Sequence, residues 1–168
     1  IVSTRTDTES KDGGAVGGGG GESSAVTHAE MLGALRMACK HGGSLAVVEA
    51  LTRSFRWSSA EELGSLLTVV VESTIGGRRA RLLKGSIVKE LLRAAGDLLG
   101  APGGKEVVCE CLVLAAGCDR VDVVREVLGE VGVDETGKEG NTAVYMATDK
   151  GHLEVARELI EAKVSHVY

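Results

Sequence analysis

The residues of this chain that could carry out chemistry are its four histidines, its four cysteines and its many carboxylates. Their spacing matches no catalytic pattern, because the sequence contains no GxSxG, HExxH or Walker-type motif. The Cys109-x-Cys111 spacing does not fit a zinc knuckle, and the run Gly17–Gly21 lacks the Lys-Ser/Thr pair of a phosphate-binding loop. We therefore predict no catalytic residue, no metal, no cofactor and no small-molecule substrate, and we expect that the chain is not an enzyme.

Individual histidines and cysteines have structural explanations instead. His152 follows a glycine at a predicted bend between two helices, where its ring can hydrogen-bond to nearby backbone. Cys39, Cys109 and Cys111 fall on predicted helices at positions that favour small residues, so buried thiols are expected there. Cys118 lies at a predicted bend, a position that could expose its thiol.

One basic segment stands out from the acidic average of the chain. The sequence RRARLLK occupies Arg78–Lys84, inside a stretch, Thr74–Lys84, that we interpret as an insertion between two helices. The insertion has no aromatic residue that could stack on bases, which disfavours a nucleic-acid site. We predict a solvated loop balanced by nearby glutamates, and the alternative is a docking site for an acidic peptide or a phosphate group.

Composition limits the remaining functions. Hydrophobic residues make up 43% of the chain, enough for one continuous core, and the formal net charge of -5 gives no general attraction to nucleic acid or to an anionic membrane. No apolar run is long enough to span a bilayer. Four unevenly spaced cysteines do not form a disulfide framework. We therefore predict no nucleic-acid or membrane partner and an intracellular location, cytoplasmic or nuclear.

The elements that position these residues are predicted to be short helices. Residues 1–26 are rich in Gly, Ser and acidic residues and are predicted to form a disordered tail. From Thr27 onward, apolar residues recur at helical spacing in segments of about ten residues that Gly-rich breaks separate. Thr27–Glu30 and Ser58–Glu62 have the pattern of capping boxes that start helices. Helices this short are marginal alone, so neighbouring helices must hold them.

The helical segments repeat along the chain. Setting Ala115 over Ala147 aligns the stretches Asp119–Leu128 and Gly151–Ile160, which lie 32 residues apart. Their apolar and charged positions coincide, which indicates two copies of one structural unit.

Two further copies of the unit lie upstream. The stretch Gly43–Leu51 follows Met37-Ala38 with one more residue in the bend, and Ile87–Asp97 supplies a fourth second helix. We predict an all-α repeat domain of about four helix pairs with short turn loops. The predicted units span about residues 27–57, 58–100, 105–137 and 138–168.

The last unit contains two short motifs, GNTAVYMA at Gly140–Ala147 and GHLEV at Gly151–Val155. By these motifs the unit resembles an ankyrin repeat, a family that has G-x-T-P-L-H-x-A at the first position and G-H-x-x-V at the second. The resemblance implies that Thr142 caps the first helix, that Gly151 forms the bend, and that Leu159 with Ile160 closes the pair. The preceding unit keeps part of this pattern and the two earliest units keep only the helix spacing. The implied fold is an ankyrin-type helical repeat solenoid preceded by a disordered Gly-rich tail.

The resemblance implies a protein-binding scaffold or adaptor rather than a catalyst. Ankyrin-like arrays bind proteins through the loop tips between repeats and the exposed side of the first helices. The residues that match this surface are Lys138, Glu139, Asn141, Asp149 and Lys150. The partner is therefore expected to be a protein. The alternative is a regulatory or targeting segment of a larger enzyme or channel chain, and the lack of a polar capping helix after the last unit leads us to expect such a fragment.

Overall fold

The described part of the chain, in a computed structural model, is helical throughout and contains no β-strand. It comprises residues 26–41, 44–73, 78–131 and 142–165, so the predicted tail up to residue 25 lies outside it. No helix in this part is long and apolar enough to cross a membrane. The helices are α1 (His28–His41), α2 (Leu45–Ser54), α3 (Ala60–Glu72), α4 (Arg78–Ala94), α5 (Gly96–Leu99), α6 (Gly104–Gly117), α7 (Val121–Val127), α8 (Ala143–Asp149) and α9 (Leu153–Ser165).

The helices form four consecutive pairs, α1 with α2, α3 with α4, α6 with α7, and α8 with α9. First helices pack side by side in the order α1, α3, α6, α8, and second helices pack in the order α2, α4, α7, α9. The short helix α5 connects α4 to α6. This two-row arrangement confirms the predicted all-α repeat of four helix pairs. The exact unit ranges remain predictions, because several segments between helices lie outside the described residues.

Helix starts follow the capping signals in the sequence. The Glu30 carboxylate accepts hydrogen bonds from the backbone N–H and the hydroxyl of Thr27, and the Glu30 N–H donates to the Thr27 hydroxyl, which forms a complete capping box. The Ser59 hydroxyl accepts from the N–H of Glu62 at the start of α3. The Thr142 hydroxyl accepts from the Tyr145 N–H at 3.2 Å, as the resemblance implied for the last unit.

The bends between the helices of the last two pairs share one backbone geometry. Asp119 and Gly151 both have positive φ angles, 56° and 74°. The next residue in each bend donates its N–H to the carbonyl of an alanine in the first helix, Arg120 to Ala115 at 3.0 Å and His152 to Ala147 at 2.8 Å. A left-handed residue followed by this bond is the Schellman ending of a helix. The two bends lie 32 residues apart, so the sequence repeat is also a structural repeat.

The core consists of small and branched aliphatic side chains from both rows of helices. Leu66, Leu67, Ile87, Leu112 and Val123 are each fully buried. Short side chains allow the first helices to approach closely, and a Cβ added to Gly64 would lie 3.1 Å from the Val107 side chain. Aliphatic packing therefore supplies most of the contacts between the two rows, with the buried ring of Phe55 added near the start of the array.

The predicted closure of the last pair is half right. Leu159 is fully buried, but Ile160 is 54% exposed, because it lies on the side of α9 that faces away from α7. The first unit also differs from its predicted alignment. Cys39 and Val48 are fully buried, whereas Ala38 is partly buried and Val47 is exposed, so Cys39 occupies the position of Ala147 and Val48 that of Val155. One more residue lies between these two positions than in the last unit, which agrees with the longer bend predicted from the sequence.

The prediction of a solvated loop over Arg78–Lys84 is wrong. These residues form the first turns of α4, and Thr74–Gly77 lies outside the described residues. Lys84 is only 2% exposed. Helix α4 begins about two turns earlier in its repeat than α7 and α9 do, so Lys84 lies inside a helix rather than in a loop.

Two adjacent residues of α9 test this packing. We expect Leu159→Ala to lower the free energy of unfolding by about 2–5 kcal/mol, because it leaves a cavity in the core. Ile160→Ala removes a similar aliphatic side chain from an exposed position and should change the free energy of unfolding by about 0.5 kcal/mol or less. Urea unfolding followed by circular dichroism measures both values, and equal effects would contradict the burial described for α9.

Candidate protein-binding surface

The residues predicted to bind a partner lie at two places in the chain. Lys138, Glu139 and Asn141 lie outside the described residues. Asp149 and Lys150 are exposed at the end of α8, directly before the bend at Gly151. The structure therefore places two of the five predicted residues together at the tip of a first helix.

The first helices also carry a row of residues that the sequence analysis did not identify. The fully buried positions Cys39, Val70, Ala115 and Ala147 lie at matching places in α1, α3, α6 and α8. The residues two positions earlier therefore match one another across the four helices, and they are Met37, Thr68, Val113 and Tyr145. Met37 and Tyr145 are each 57% exposed, while Thr68 and Val113 are partly buried. We call these four residues the first-helix row.

Beside this row, a groove of about 470 Å³ lies between α3 and α6. Its floor and walls combine small residues of α3, such as Gly64 and Ser65, with Leu114 and Cys111 of α6. Its charged lining residues are all glutamates, Glu61, Glu72 and Glu110. The groove is therefore an open, acidic depression on the first-helix side of the array.

Buried cations hold the end of α3, one wall of this groove. The Arg120 guanidinium, from the bend before α7, donates hydrogen bonds to the Val70 and Val71 carbonyls at 3.2 and 3.0 Å. The Lys84 ammonium donates to the carbonyl and the hydroxyl of Ser73. Helix C-termini leave carbonyl groups without intrahelical donors, and they favour positive charge.

The same two cations lie near one partly buried carboxylate, that of Asp122. Arg120 forms two hydrogen bonds to Asp122, from Nε to Oδ1 at 3.0 Å and from Nη2 to Oδ2 at 2.7 Å. Burial lowers the pKa of Lys84, the Arg120 charge lowers it further, and Asp122 acts in the opposite direction. The cluster is thus a packed polar link between the second and third helix pairs.

His152 makes the corresponding link one unit later. Its Nε2 lies 3.1 Å from the Gly117 carbonyl, at the end of α6. This contact confirms that the histidine bonds to backbone near the bend. Because His152 aligns with Arg120, one position of the repeat joins the bend of each of the last two pairs to the end of the preceding first helix. The sequence repeat could have indicated this match, but the spacing alone does not reveal the partner carbonyl.

The starts of α1 and α3 are joined by a second polar cluster. His28 Nε2 lies 2.8 Å from Glu62 Oε1, and the His28 ring stacks on Phe55 with centroids 4.7 Å apart. Ser58 donates its N–H and its hydroxyl to the Glu62 carboxylate. Burial raises the pKa of Glu62, but the bonds from Ser58 and His28 outweigh it and lower the pKa to about 2. Ser58 bonds to the carboxylate rather than to the imidazole, so the three residues do not form a nucleophilic triad.

The cysteines occupy the environments predicted from their positions. Cys39, Cys109 and Cys111 are buried, Cys118 is exposed, and none of the four forms a disulfide in the described part of the chain. Burial raises the pKa of the Cys39 and Cys111 thiols to about 12, so these two thiols are protonated at neutral pH. The buried cysteines therefore serve as small core residues.

These features define a helical repeat protein in which consecutive helix pairs stack through equivalent contacts. Among known families, the model of the ankyrin repeat matches residues 139–167. The last helix pair, α8 with α9, is thus an ankyrin repeat, and the resemblance predicted from its sequence is confirmed. No curated protein and no solved structure matches the chain.

The Arg120 link can be tested by comparison with an exposed arginine. Arg120→Met should lower the free energy of unfolding by about 3–5 kcal/mol, because it leaves the Asp122 carboxylate without its cation and removes the guanidinium donor from the Val70 and Val71 carbonyls. Arg125→Met removes an ion pair to Glu158 at an exposed position and should cost about 1 kcal/mol or less. Urea unfolding of both variants gives the comparison, and a small effect at Arg120 would contradict its linking role.

The Glu62 cluster predicts a defined pH dependence. The folded-state pKa of Glu62, about 2, lies below the ordinary value of 4.5, so the stabilisation that its carboxylate gives the folded state is complete above about pH 4.5. It is lost as the pH falls towards 2. We expect the difference in unfolding free energy between the wild type and Glu62→Gln to shrink over this range. Urea unfolding at several pH values measures this difference, and the variant Glu61→Gln, at an exposed neighbouring position, is the control. A difference that stays constant with pH would contradict the stabilising role of Glu62.

Proposed function

We propose that this chain is a protein-binding scaffold or adaptor module that holds its partner against the first-helix side of the array. The ankyrin repeat at residues 139–167 supports this proposal, because ankyrin repeats are protein-interaction modules. We choose this surface because of the first-helix row, which has one residue in each of the four pairs and in which Met37 and Tyr145 are exposed. Tyrosine is among the residue types that contribute most to binding energy at protein interfaces.

The charge of the same side favours a partner segment with basic residues. The three lining glutamates of the groove between α3 and α6 give it a negative potential at neutral pH. Asp149 and Lys150 lie at the tip of α8, at one end of the row, and would contact the same partner. Lys138, Glu139 and Asn141 belong to the proposed surface through the ankyrin resemblance.

The same surface serves the other function predicted from the sequence, a regulatory or targeting segment of a larger enzyme or channel chain. Such a segment also works by binding a protein, so the choice of residues does not change. The four free thiols support a reducing setting, and we propose an intracellular module of the cytoplasm or nucleus.

Site-specific crosslinking tests the proposed surface. A photo-reactive phenylalanine at position 145 should capture the partner in cells that express the chain, because this position lies on the first-helix row. The same group at position 53 is the control, since this position lies on the second helix α2 and the Arg53 side chain is 71% exposed. Capture from position 53 but not from position 145 would overturn the proposal.

A charge-reversal variant tests the loop residues on the captured partner. Reversing Lys138, Glu139 and Lys150 together should reduce capture from position 145 by about fivefold or more, as expected for several contacts at a charged rim. Unchanged capture would show that these three residues do not belong to the binding surface, and the assignment of the first-helix row would stand.

A further inference from the structure

A second row of matching residues runs parallel to the first-helix row. It consists of Glu30 of α1, Glu61 of α3 and Glu106 of α6, which all lie in the first turns of their helices and are exposed. Each glutamate precedes the first-helix-row residue of its own helix by seven positions. Because seven residues are close to two turns of an α-helix, the two residues share one face of that helix. We call these three glutamates the acidic row.

A depression separates the two rows. Its floor consists of small residues, Gly33 and Ala34 in α1 and Gly64 and Ser65 in α3. A Cβ added to Gly33 would meet no other described atom within 4 Å, so the space in front of it is open. The groove of about 470 Å³ between α3 and α6 reaches from Glu61 of the acidic row to Thr68 of the first-helix row. We call this depression, with the two rows as its walls, the cross-helix groove.

The distance between the walls limits the shape of an occupant. The walls are seven residues apart along each first helix, so their Cα atoms are separated by about 10.5 Å. A helix with its side chains is about 10–12 Å across, which leaves no room for it between two rows of side chains. An extended chain is narrower and can lie along the floor, across α1, α3 and α6.

The distance between the first helices selects one extended conformation. Helices that pack side by side, as α1, α3 and α6 do, lie about 8–10 Å apart. In a polyproline II segment every third side chain returns to the same side after about 9 Å. In a β-strand the return distance is about 6.6 Å, which does not match the helix spacing. A polyproline II segment therefore presents one side chain to each first helix in turn.

The walls also differ in chemistry. The acidic row attracts cations, and two hydrogen bonds from Thr27 hold the pKa of Glu30 below its ordinary value. The opposite wall offers apolar contact through Met37, which is 57% exposed, and through the partly buried Val113. The position that would continue the acidic row in the last pair is Lys138, a basic residue outside the described part of the chain. The acidic row thus faces three consecutive positions of an occupant.

We propose that the cross-helix groove binds an extended partner segment, in polyproline II conformation, with a basic residue at every third position. Three basic residues of the segment lie opposite the acidic row. The residue after each basic one is apolar and contacts the first-helix row, and the third residue of each turn faces solvent. This proposal rests on the function proposed above, because it specifies the chemistry of the partner on the same side of the array.

The segment belongs to another protein rather than to a second copy of this chain. The sequence contains one series of three basic residues with this spacing, Arg78, Arg81 and Lys84. These residues lie in helix α4, and Lys84 is 2% exposed. A second copy would have to unfold the start of α4 to offer them.

A peptide probe tests the spacing of the basic residues. The probe is a fluorescein-labelled peptide of three consecutive copies of Lys-Leu-Pro, and fluorescence anisotropy measures its affinity for the full chain. The control peptide has the same composition, with its three lysines adjacent and its leucines and prolines alternating after them. We expect the probe to bind about fivefold more tightly or better, because only its lysines match the acidic row. Equal affinities would overturn the proposal, since the groove would then attract any cationic segment. So would tighter binding of a helical peptide with lysine at every seventh position.

Neutral variants test the acidic row. Glu30→Gln, Glu61→Gln and Glu106→Gln should each weaken binding of the probe about two- to fivefold, and the triple variant should weaken it about tenfold or more. Glutamine preserves the capping box at position 30, and thermal unfolding confirms that each variant is folded. Glu154→Gln, at an exposed position on α9, is the control and should leave binding unchanged. An unaffected triple variant, or an equal loss from Glu154→Gln, would contradict the proposed site.

Capture from position 145 separates this proposal from the proposed function. The triple glutamine variant should capture about fivefold less partner from position 145 than the parent chain does. Undiminished capture would leave the first-helix side as the binding surface and would exclude the basic segment as its occupant. Capture from position 53 but not from position 145 would overturn the proposed function, and this proposal with it.

Discussion

The array depends on how two of its first helices, α3 and α6, end. A helix leaves its last carbonyl groups without intrahelical donors, and here the next helix pair supplies some of the missing donors. Arg120 reaches back to the Val70 and Val71 carbonyls of α3, and His152 reaches back to the Gly117 carbonyl of α6. Because the donor sits at the bend of the following unit, each bond sets the distance between consecutive pairs as well as satisfying a helix end.

This link explains why the two rows of helices have different roles. The second helices are tied to one another by aliphatic contacts and by the ion pairs from Lys89 to Glu126 and from Arg125 to Glu158. The first helices also pack side by side, and the ends of α3 and α6 are held in addition by the bend of the next pair. Met37 and Tyr145 stay exposed on the side that this packing leaves open. Their exposed side is therefore the surface on which a partner can bind without disturbing the core.

Much of the fold could be predicted because its local signals are short-range. The capping residues Thr27, Ser59 and Thr142 act within one turn, so their pattern in the sequence is sufficient to place three helix starts. The prediction for the basic segment was wrong because the Lys84 ammonium donates hydrogen bonds to the carbonyl and hydroxyl of Ser73, at the end of α3. A long side chain with a distant partner leaves no signature in the spacing of residues around it.

The sequence by itself determined the helix pairs, the 32-residue repeat of the last two units and the ankyrin character of residues 139–167, because periodicity and capping are properties of neighbouring residues. Only the tertiary structure decided which face of each helix is covered. It buries Leu159 and leaves the adjacent Ile160 exposed, and it aligns Met37 and Tyr145 on one side of the array. The physical reason is that burial depends on the packing of a neighbouring helix pair, which residue spacing does not specify.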